Sequence, residues 1–196
     1  MTASASKDWI FVRHGQTDWN RKGRIQGGTE IPLNERGRAQ ARANGRKLAG
    51  LELPGDVPFF VSPMDRAQET ARLVRAEMGL ALDEFTTIPA LRELTFGDWE
   101  GRTLVEVWTA DPDPVEARKD DKWNYVPPDG ESYAQLSERV APVLKTLPVQ
   151  AVIVSHGGVM RTVIQRFTGL AQDEAAILEI HQDRFWRWNG ERGTWV

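Results

Sequence analysis

Arg13, His14, Arg66, Glu93 and His156 are the residues of this 196-residue chain whose types could do chemistry together. Two arginine forks match the oxygens of a phosphoryl group bidentately, and a neutral imidazole is a competent nitrogen nucleophile towards phosphorus. Glu93 sits between the apolar Leu91 and Leu94, where partial burial would raise its pKa towards that of a working general acid. If the fold gathers these groups, the natural chemistry is phosphoryl transfer through phosphohistidine. The chain has no cysteine, which removes thiolate nucleophiles and the sulfur ligands of zinc and iron–sulfur sites. A three-histidine metal site would need all of His14, His156 and His181, none of which is spaced i, i+3 or i+4 from another, and with the arginines and His156 supplying positive charge no metal is expected. Each residue also has a plainer reading: Arg13-His14 as a strand leaving the core into a solvated turn, Arg66 as a surface arginine.

What would position them is a set of strand ends. Trp9–Val12 (Trp-Ile-Phe-Val) is a buried strand that stops at Arg13, His14 and Gly15. In open α/β sheets ligands bind beyond the carboxyl ends of the strands, and Gly15 lets the backbone come close to whatever His14 touches. Pro58–Val61 is a second strand. Ser62 as N-cap, Pro63 at the first helical position and Asp65 three residues after the cap would start a helix with Arg66 in its first turn, where free N–H groups favour anions. Residues 86–91 suggest a strand leading to Glu93 and to the turn-rich Phe96–Gly101. Residues 150–154 form the clearest strand, which ends in Ser155-His156-Gly157-Gly158 with a helix from Val159 to Phe167.

The remaining elements are scaffold. Asn34 caps a helix over Glu35–Ala49 that Gly50 stops, and Thr103–Ala110 is a short helix. Asp111–Gly130 is a proline-punctuated loop within a lid-like insert at about 104–130, longer than an ordinary connection. Its Asp111-Pro-Asp113-Pro is an extended segment rather than a carboxylate metal motif. Ser132 and Gln135 form a capping box for a helix through Leu136, Val140, Val143 and Leu144, with a kink or early break at Pro142. Ile177–His181, Arg184–Trp188 and Gly193–Val196 read as antiparallel strands, the last two joined by a tight turn at Asn189-Gly190. His181 reads as a packing histidine. Trp19, Trp108 and Trp123 sit where substrate contact is conceivable, with packing the better reading. Arg21, Lys22, Arg24 and Arg102 could meet a second acidic group on a substrate, but solvated charges are the simpler account.

A net charge of −3 with dispersed basic residues gives no footprint for nucleic acid or an anionic membrane. No apolar run reaches the ~18 residues of a membrane span, and Met1–Lys7 lacks the apolar core of a signal peptide. The expectation is a soluble, cytoplasmic, single domain over residues 1–196, acting on a small phosphorylated substrate, with a homodimer allowed.

Val-Arg-His-Gly-Gln-Thr-Asp-Trp-Asn, Leu-Asn-Glu-Arg-Gly, Ser-Pro-Met-Asp-Arg-Ala-Gln-Glu-Thr-Ala, Leu-Arg-Glu-Leu-Thr-Phe-Gly-Asp-Trp-Glu-Gly, Pro-Asp-Gly-Glu-Ser and Val-Ser-His-Gly-Gly occur in that order. Together they resemble the histidine phosphatase superfamily, the phosphoglycerate mutase-like enzymes, from Phe11 to about Gly158. The resemblance implies a three-layer α/β/α sandwich on a mostly parallel sheet, to which the residues add an antiparallel C-terminal hairpin. It implies His14 as nucleophile, Arg13 and Arg66 on the phosphoryl oxygens, and His156 as donor to the transferring group. Glu93 would be the proton carrier, Asn20 a pocket-wall donor and Gln26 a substrate contact, with no cofactor. Hydrolysis of small phosphomonoesters is the leading expectation. The alternatives are a cofactor-dependent phosphoglycerate mutase and an inactive phospho-ligand-binding module. Family mutases carry a C-terminal tail over the site, whereas this chain finishes on the strand-like Thr194-Trp195-Val196.

Overall fold

A computed structural model describes residues 7–196, so all of Met1–Lys7 except its last residue lies outside the described residues. The Trp9–Val12 run extends by one residue at each end into β1 (Asp8–Arg13), the strand on which the sheet is built. β1 lies parallel to β4 (Gln150–Ser155) on one side and antiparallel to β5 (Phe185–Trp188) on the other. β2 (Phe59–Val61), β3 (Thr86–Thr87) and β6 (Gly193–Trp195) complete the order β3-β2-β4-β1-β5-β6. The four strands on the β3 side of the sheet are parallel, and β5–β6 is the expected antiparallel hairpin.

Strand side chains alternate between faces, and here both faces are buried. Ile10, Val12, Val152, Val154, Phe59 and Val61 meet helices α2 (Glu35–Ala49) and α3 (Asp65–Glu77) through Leu48, Ala67, Ala71 and Val74. Trp9, Phe11, Ala151 and Ile153 meet α6 (Tyr133–Thr146), α7 (Gly157–Thr168) and α8 (Gln172–Ile177) on the opposite face. Burying a large apolar side chain contributes roughly 1.5–3 kcal/mol, so this double-sided burial fixes the register of β1 against β4. The result is the three-layer α/β/α sandwich. The connections carry α1 (Asp18–Arg21), α4 (Leu104–Ala110), α5 (Pro112–Asp120) and 3-10 turns at Pro89–Leu91 and Gly97–Trp99, of which α4, α5 and the last turn share a small separate cluster of Trp99, Val107 and Val115.

Local signals misled in five places. The strand expected over residues 86–91 is only Thr86–Thr87, because Pro89 has no N–H to give to a ladder and opens a 3-10 turn instead. Asp111-Pro-Asp113-Pro is the start of α5 rather than an extended loop, since prolines in a first helical turn lose no intrahelical bond. Pro142 does not end α6, which continues to Thr146 with Pro142 exposed and its neighbours Val140 and Leu144 buried. Ile177–His181 is not a strand: α8 ends at Ile177, and Ala175 and Ala176 are buried in the core beside α7. The cap of α3 is Met64 and makes no side-chain bond, which frees Ser62 for another task.

Candidate active site

Arg13 pairs with Ser155 in the parallel register of β1 and β4, so the next residue of each strand, His14 and His156, leaves the sheet beside the other. Their ring centroids are 5.2 Å apart. His14 Nδ1 lies 2.8 Å from the Gly15 carbonyl, which can only accept, so Nδ1 carries the ring proton and Nε2 keeps its lone pair. Burial, reinforced by Arg66 and Arg13, holds the pKa of His14 well below the usual histidine value. At neutral pH the ring is therefore uncharged. Gly15 serves packing as well as approach, because a Cβ there would overlap the Gly37 carbonyl at the start of α2.

His156 is fully buried, with Nε2 2.7 Å from Ser62 Oγ. The same oxygen accepts from Met64 N–H at 3.3 Å, and only donation from the hydroxyl to Nε2 gives the hydroxyl proton an acceptor. That puts the ring proton of His156 on Nδ1. Among the described residues, Nδ1 of His156 and Nε of Arg13 are buried polar atoms without a partner. Burial first, and then Arg66, the neighbouring His14 ring and Arg13, keep the pKa of His156 well below the usual histidine value.

Arg66 is buried in the first turn of α3, as expected. Its Nη1 and Nη2 donate to the carbonyls of Thr29 at 2.8 Å and Gly27 at 2.7 Å, which fix the plane of the fork. With its amide oxygen turned to Arg66, Gln26 accepts from Nη1 and Nε at 3.1 and 3.2 Å. Arg13 donates from Nη1 to the Ile180 carbonyl at 2.8 Å, and burial lowers its pKa to about 10. Asn20 accepts through Oδ1 from Gln182 Nε2 at 3.0 Å. Glu93 is half-buried, and its Oε2 accepts from Gly158 N–H at 2.9 Å. Any Cβ on Gly158 would overlap that carboxylate. His14, Arg13, Arg66, Asn20, Gln26 and Glu93 line one polar cavity of about 140 Å³, with Phe96, Tyr133 and Arg161 at its walls. Water takes roughly 30 Å³ apiece, so the space suits a group of a few heavy atoms such as phosphoryl. His156 stands behind this wall, against His14.

Ser62, Glu100 and Arg161 are the contributors that sequence reasoning did not find. Glu100 accepts from the N–H groups of Gly28, Thr29 and Phe96 at 2.7, 2.8 and 3.0 Å and from the hydroxyls of Thr95 and Thr29. Burial pushes its pKa up, but these bonds outweigh that and hold it below the usual carboxylate value. Glu100 thereby ties down the loop whose carbonyls orient Arg66. No local spacing signals such a role.

Other candidates lie elsewhere. Arg21 pairs with Asp18, Arg24 with Glu106, and Arg102 donates to the Glu106 carbonyl, while Lys22 is exposed. Trp123 is buried and stacks on Tyr133, Trp108 bonds Glu116, and Trp19 packs beside Gly101. His181 sits edge-on to Trp195. Among the described residues no group of three or more His, Cys, Asp or Glu is arranged to hold a metal ion, and no helix is long and apolar enough to cross a membrane. The cavity thus offers an uncharged imidazole nitrogen with a free lone pair, two arginine forks and a carboxyl group at the edge, with a second neutral imidazole behind its wall. That set can accept and release a phosphoryl group.

The family model of the histidine phosphatase superfamily (branch 1) matches residues 9–196. The chain is 36% identical over 173 residues to an acid phosphatase of Mycobacterium tuberculosis, an alignment covering 85% of this chain and 78% of that protein. It is 32% identical over 181 residues to a 2,3-bisphosphoglycerate-dependent phosphoglycerate mutase of Parvibaculum lavamentivorans, covering 87% and 84%. Among solved structures, the alpha-ribazole phosphatase from Shigella flexneri matches with a TM-score of 0.80 at 29% identity, covering 96% of this chain and 94% of that one.

Proposed function

We propose that this chain, which belongs to the histidine phosphatase superfamily (branch 1), hydrolyses small phosphomonoesters through a phosphohistidine on His14. The observation that carries the reading is the uncharged His14 ring, its proton committed to the Gly15 carbonyl, in a cavity with two arginine forks. His14 Nε2 attacks phosphorus, the ester P–O bond breaks, and Glu93 gives its proton to the departing alcohol oxygen. In the second half Glu93 takes a proton from water, the water oxygen attacks phosphorus, the P–N bond breaks and inorganic phosphate leaves. Arg13, Arg66 and Asn20 hold the phosphoryl oxygens, His156 donates from Nδ1, and Gln26 touches substrate. Fixed donors aimed at developing charge are the main source of rate in such a site, and no metal ion is required.

Hydrolysis is preferred to mutase chemistry because Glu93 also borders a second, wider cavity of about 490 Å³ beside Arg92 and Arg139. Water reaches the carboxyl group from that side, whereas a mutase has to shelter its phosphohistidine. The decisive experiment is a rapid quench at alkaline pH, where phosphohistidine survives, after mixing with a 32P-labelled phosphomonoester. Label on His14 that decays to inorganic phosphate is expected; label on another residue, or transfer back to a phosphoglycerate faster than to water, would overturn the reading. A phosphate-release screen over sugar phosphates, phosphoglycerates, nucleotides and phosphopeptides then finds the substrate. Loss of activity with a chelator and its return with Mg²⁺ would count against the metal-free scheme. A cytoplasmic location and a homodimer belong to the same proposal and are tested by cell fractionation and sedimentation. The lid role of residues 104–130 belongs to it too.

A further inference from the structure

The stretch between α8 and β5 forms no regular element, yet it touches the site at alternate residues. The Leu178 carbonyl accepts from Arg161 Nε at 2.9 Å, and the Ile180 carbonyl accepts from Arg13 Nη1 at 2.8 Å. Gln182 reaches in with its side chain: Nε2 donates to the His14 carbonyl at 3.2 Å and to Asn20 Oδ1 at 3.0 Å. Both hydrogens of one amide are thus committed to residues of the phosphoryl cavity, although Gln182 does not line it. Helix α2 holds the stretch from outside, with Asn44 Nδ2 donating to the Gln182 carbonyl at 3.0 Å and Lys47 Nζ to the Asp183 carbonyl at 3.1 Å. Asn44 is fully buried and its Oδ1 has no partner, which makes it a poor residue for packing alone; its Nδ2 anchors Gln182.

These contacts settle which end of each amide points where. A backbone carbonyl can only accept, so the Gln182 atom facing His14 is nitrogen. The Thr17 N–H can only donate, so the Asn20 atom 3.2 Å from it is oxygen. With Oδ1 held by Thr17 and Gln182, the NH₂ of Asn20 is the end left for the cavity. With the Gln26 oxygen turned to Arg66, the Gln26 nitrogen stands 3.2 Å from Asn20 Nδ2, donor against donor, so neither serves the other as acceptor. A phosphoryl oxygen in the cavity that both residues line is an acceptor that suits this end. An Asn20 amide turned over would set Oδ1 against that oxygen instead. The Thr17 bond is the weaker restraint, because it belongs to α1, a four-residue helix with no buried residue, whereas Gln182 is tied through Asn44 to the body of the fold.

We infer that Gln182 is a positioning residue of the phosphoryl site, fixing the Asn20 amide with its NH₂ towards the phosphoryl oxygens and acting through Asn20 without touching substrate. This rests on the reading of the cavity as a phosphoryl site and adds to it a residue 162 positions from the one it orients.

The test is a double-mutant cycle on the binding of phenylphosphonate, which is not hydrolysed, so that affinity is read by calorimetry apart from turnover. Asn20→Ala removes one hydrogen bond to a charged group and should weaken Kd about tenfold, which leaves binding measurable. Gln182→Met keeps the length of the side chain and loses both donors. In protein that retains Asn20 it should weaken Kd about fivefold, part of the same bond. In Asn20→Ala it should leave Kd within about twofold, because the group it orients is gone. Gln182→Asn, one methylene shorter, should give the same cycle and is the second variant should Gln182→Met fold poorly. A merely structural role would lower the unfolding midpoint and weaken binding by the same factor in both backgrounds. That result, or an unchanged Kd in protein that retains Asn20, overturns the assignment and leaves the phosphatase reading standing. Coupling between the two residues in a protein that forms no phosphohistidine from phenyl phosphate upholds the positioning and overturns the phosphatase reading.

Discussion

At the scale of single residues, the tautomer of His156 is set by a neutral hydroxyl where many catalytic histidines use a carboxylate. A carboxylate beside it would favour the imidazolium and compete with an incoming phosphoryl group for the cations; Ser62 orients the ring without adding charge. Ser62→Ala should therefore lower kcat about tenfold while leaving the KM of a small substrate within about twofold, and Ser62→Thr should restore most of it; steady-state kinetics decide. Arg66 carries more. An arginine stabilising a transferring phosphoryl group is worth about 10³ to 10⁵ in rate, so Arg66→Ala should be nearly as damaging as His14→Ala. Arg66→Lys should not rescue it, because one ammonium cannot reach the Gly27 and Thr29 carbonyls and a phosphoryl oxygen in a single plane. Wild-type activity in Arg66→Ala would defeat the assignment. The histidines and arginines were legible in the sequence because each follows an apolar run that stops abruptly. Ser62 was legible only as a helix cap: its partner is 94 residues away, and no local rule reaches that far.

At the scale of elements, the loop through Gly27–Thr29 has no regular structure of its own and is rigid through Glu100. Removing that carboxylate leaves several buried donors unpaired. Glu100→Ala should cost about 2–4 kcal/mol in denaturant unfolding, with a loss of kcat in the protein that remains folded, because the carbonyls aiming Arg66 come free. Glu100→Gln should fall between, since an amide keeps one acceptor oxygen and turns an NH₂ towards N–H groups. Unfolding midpoints within experimental error of wild type for both variants would remove Glu100 from this role. β1 and β4 were legible as uninterrupted apolar runs buried on both faces. α5 was not, because Pro112 and Pro114 signal a break unless one knows that both fall in a first turn, and β3 was overestimated because Pro89 ends it. Arg118 therefore stands on a helix and not on the loop that composition suggests.

At the scale of the whole molecule, the buried histidines link stability to pH. Both have folded-state pKa values well below the ordinary 6.5, through burial and nearby arginines. In the unfolded chain they titrate near 6.5, so below that pH the unfolded state takes up protons that the folded state refuses. Stability is thus fully present above about pH 6.5 and falls as the pH drops from there towards the folded values. The thermal midpoint should decline between pH 6.5 and 5.5, and the decline should shrink in a His14→Gln, His156→Gln double variant; an equal slope in both proteins would refute the linkage. The same cluster of desolvated cations makes a bound anion stabilising. Phosphate at 100 times its Kd should add about 2.7 kcal/mol, a rise in Tm of roughly 5 to 10 °C, and Arg66→Ala should abolish most of it. The sheet order has a consequence for biosynthesis as well. Both neighbours of β1, β4 and β5, are encoded about 140 and 175 residues after it. On a ribosome adding about 5–20 residues per second, Trp9–Val12 leaves the exit tunnel on the order of 10 s before any partner strand exists. For that interval an apolar segment with two unpaired edges depends on chaperones or on transient burial against α2 and α3, and His14 and His156 come together only when translation is nearly finished.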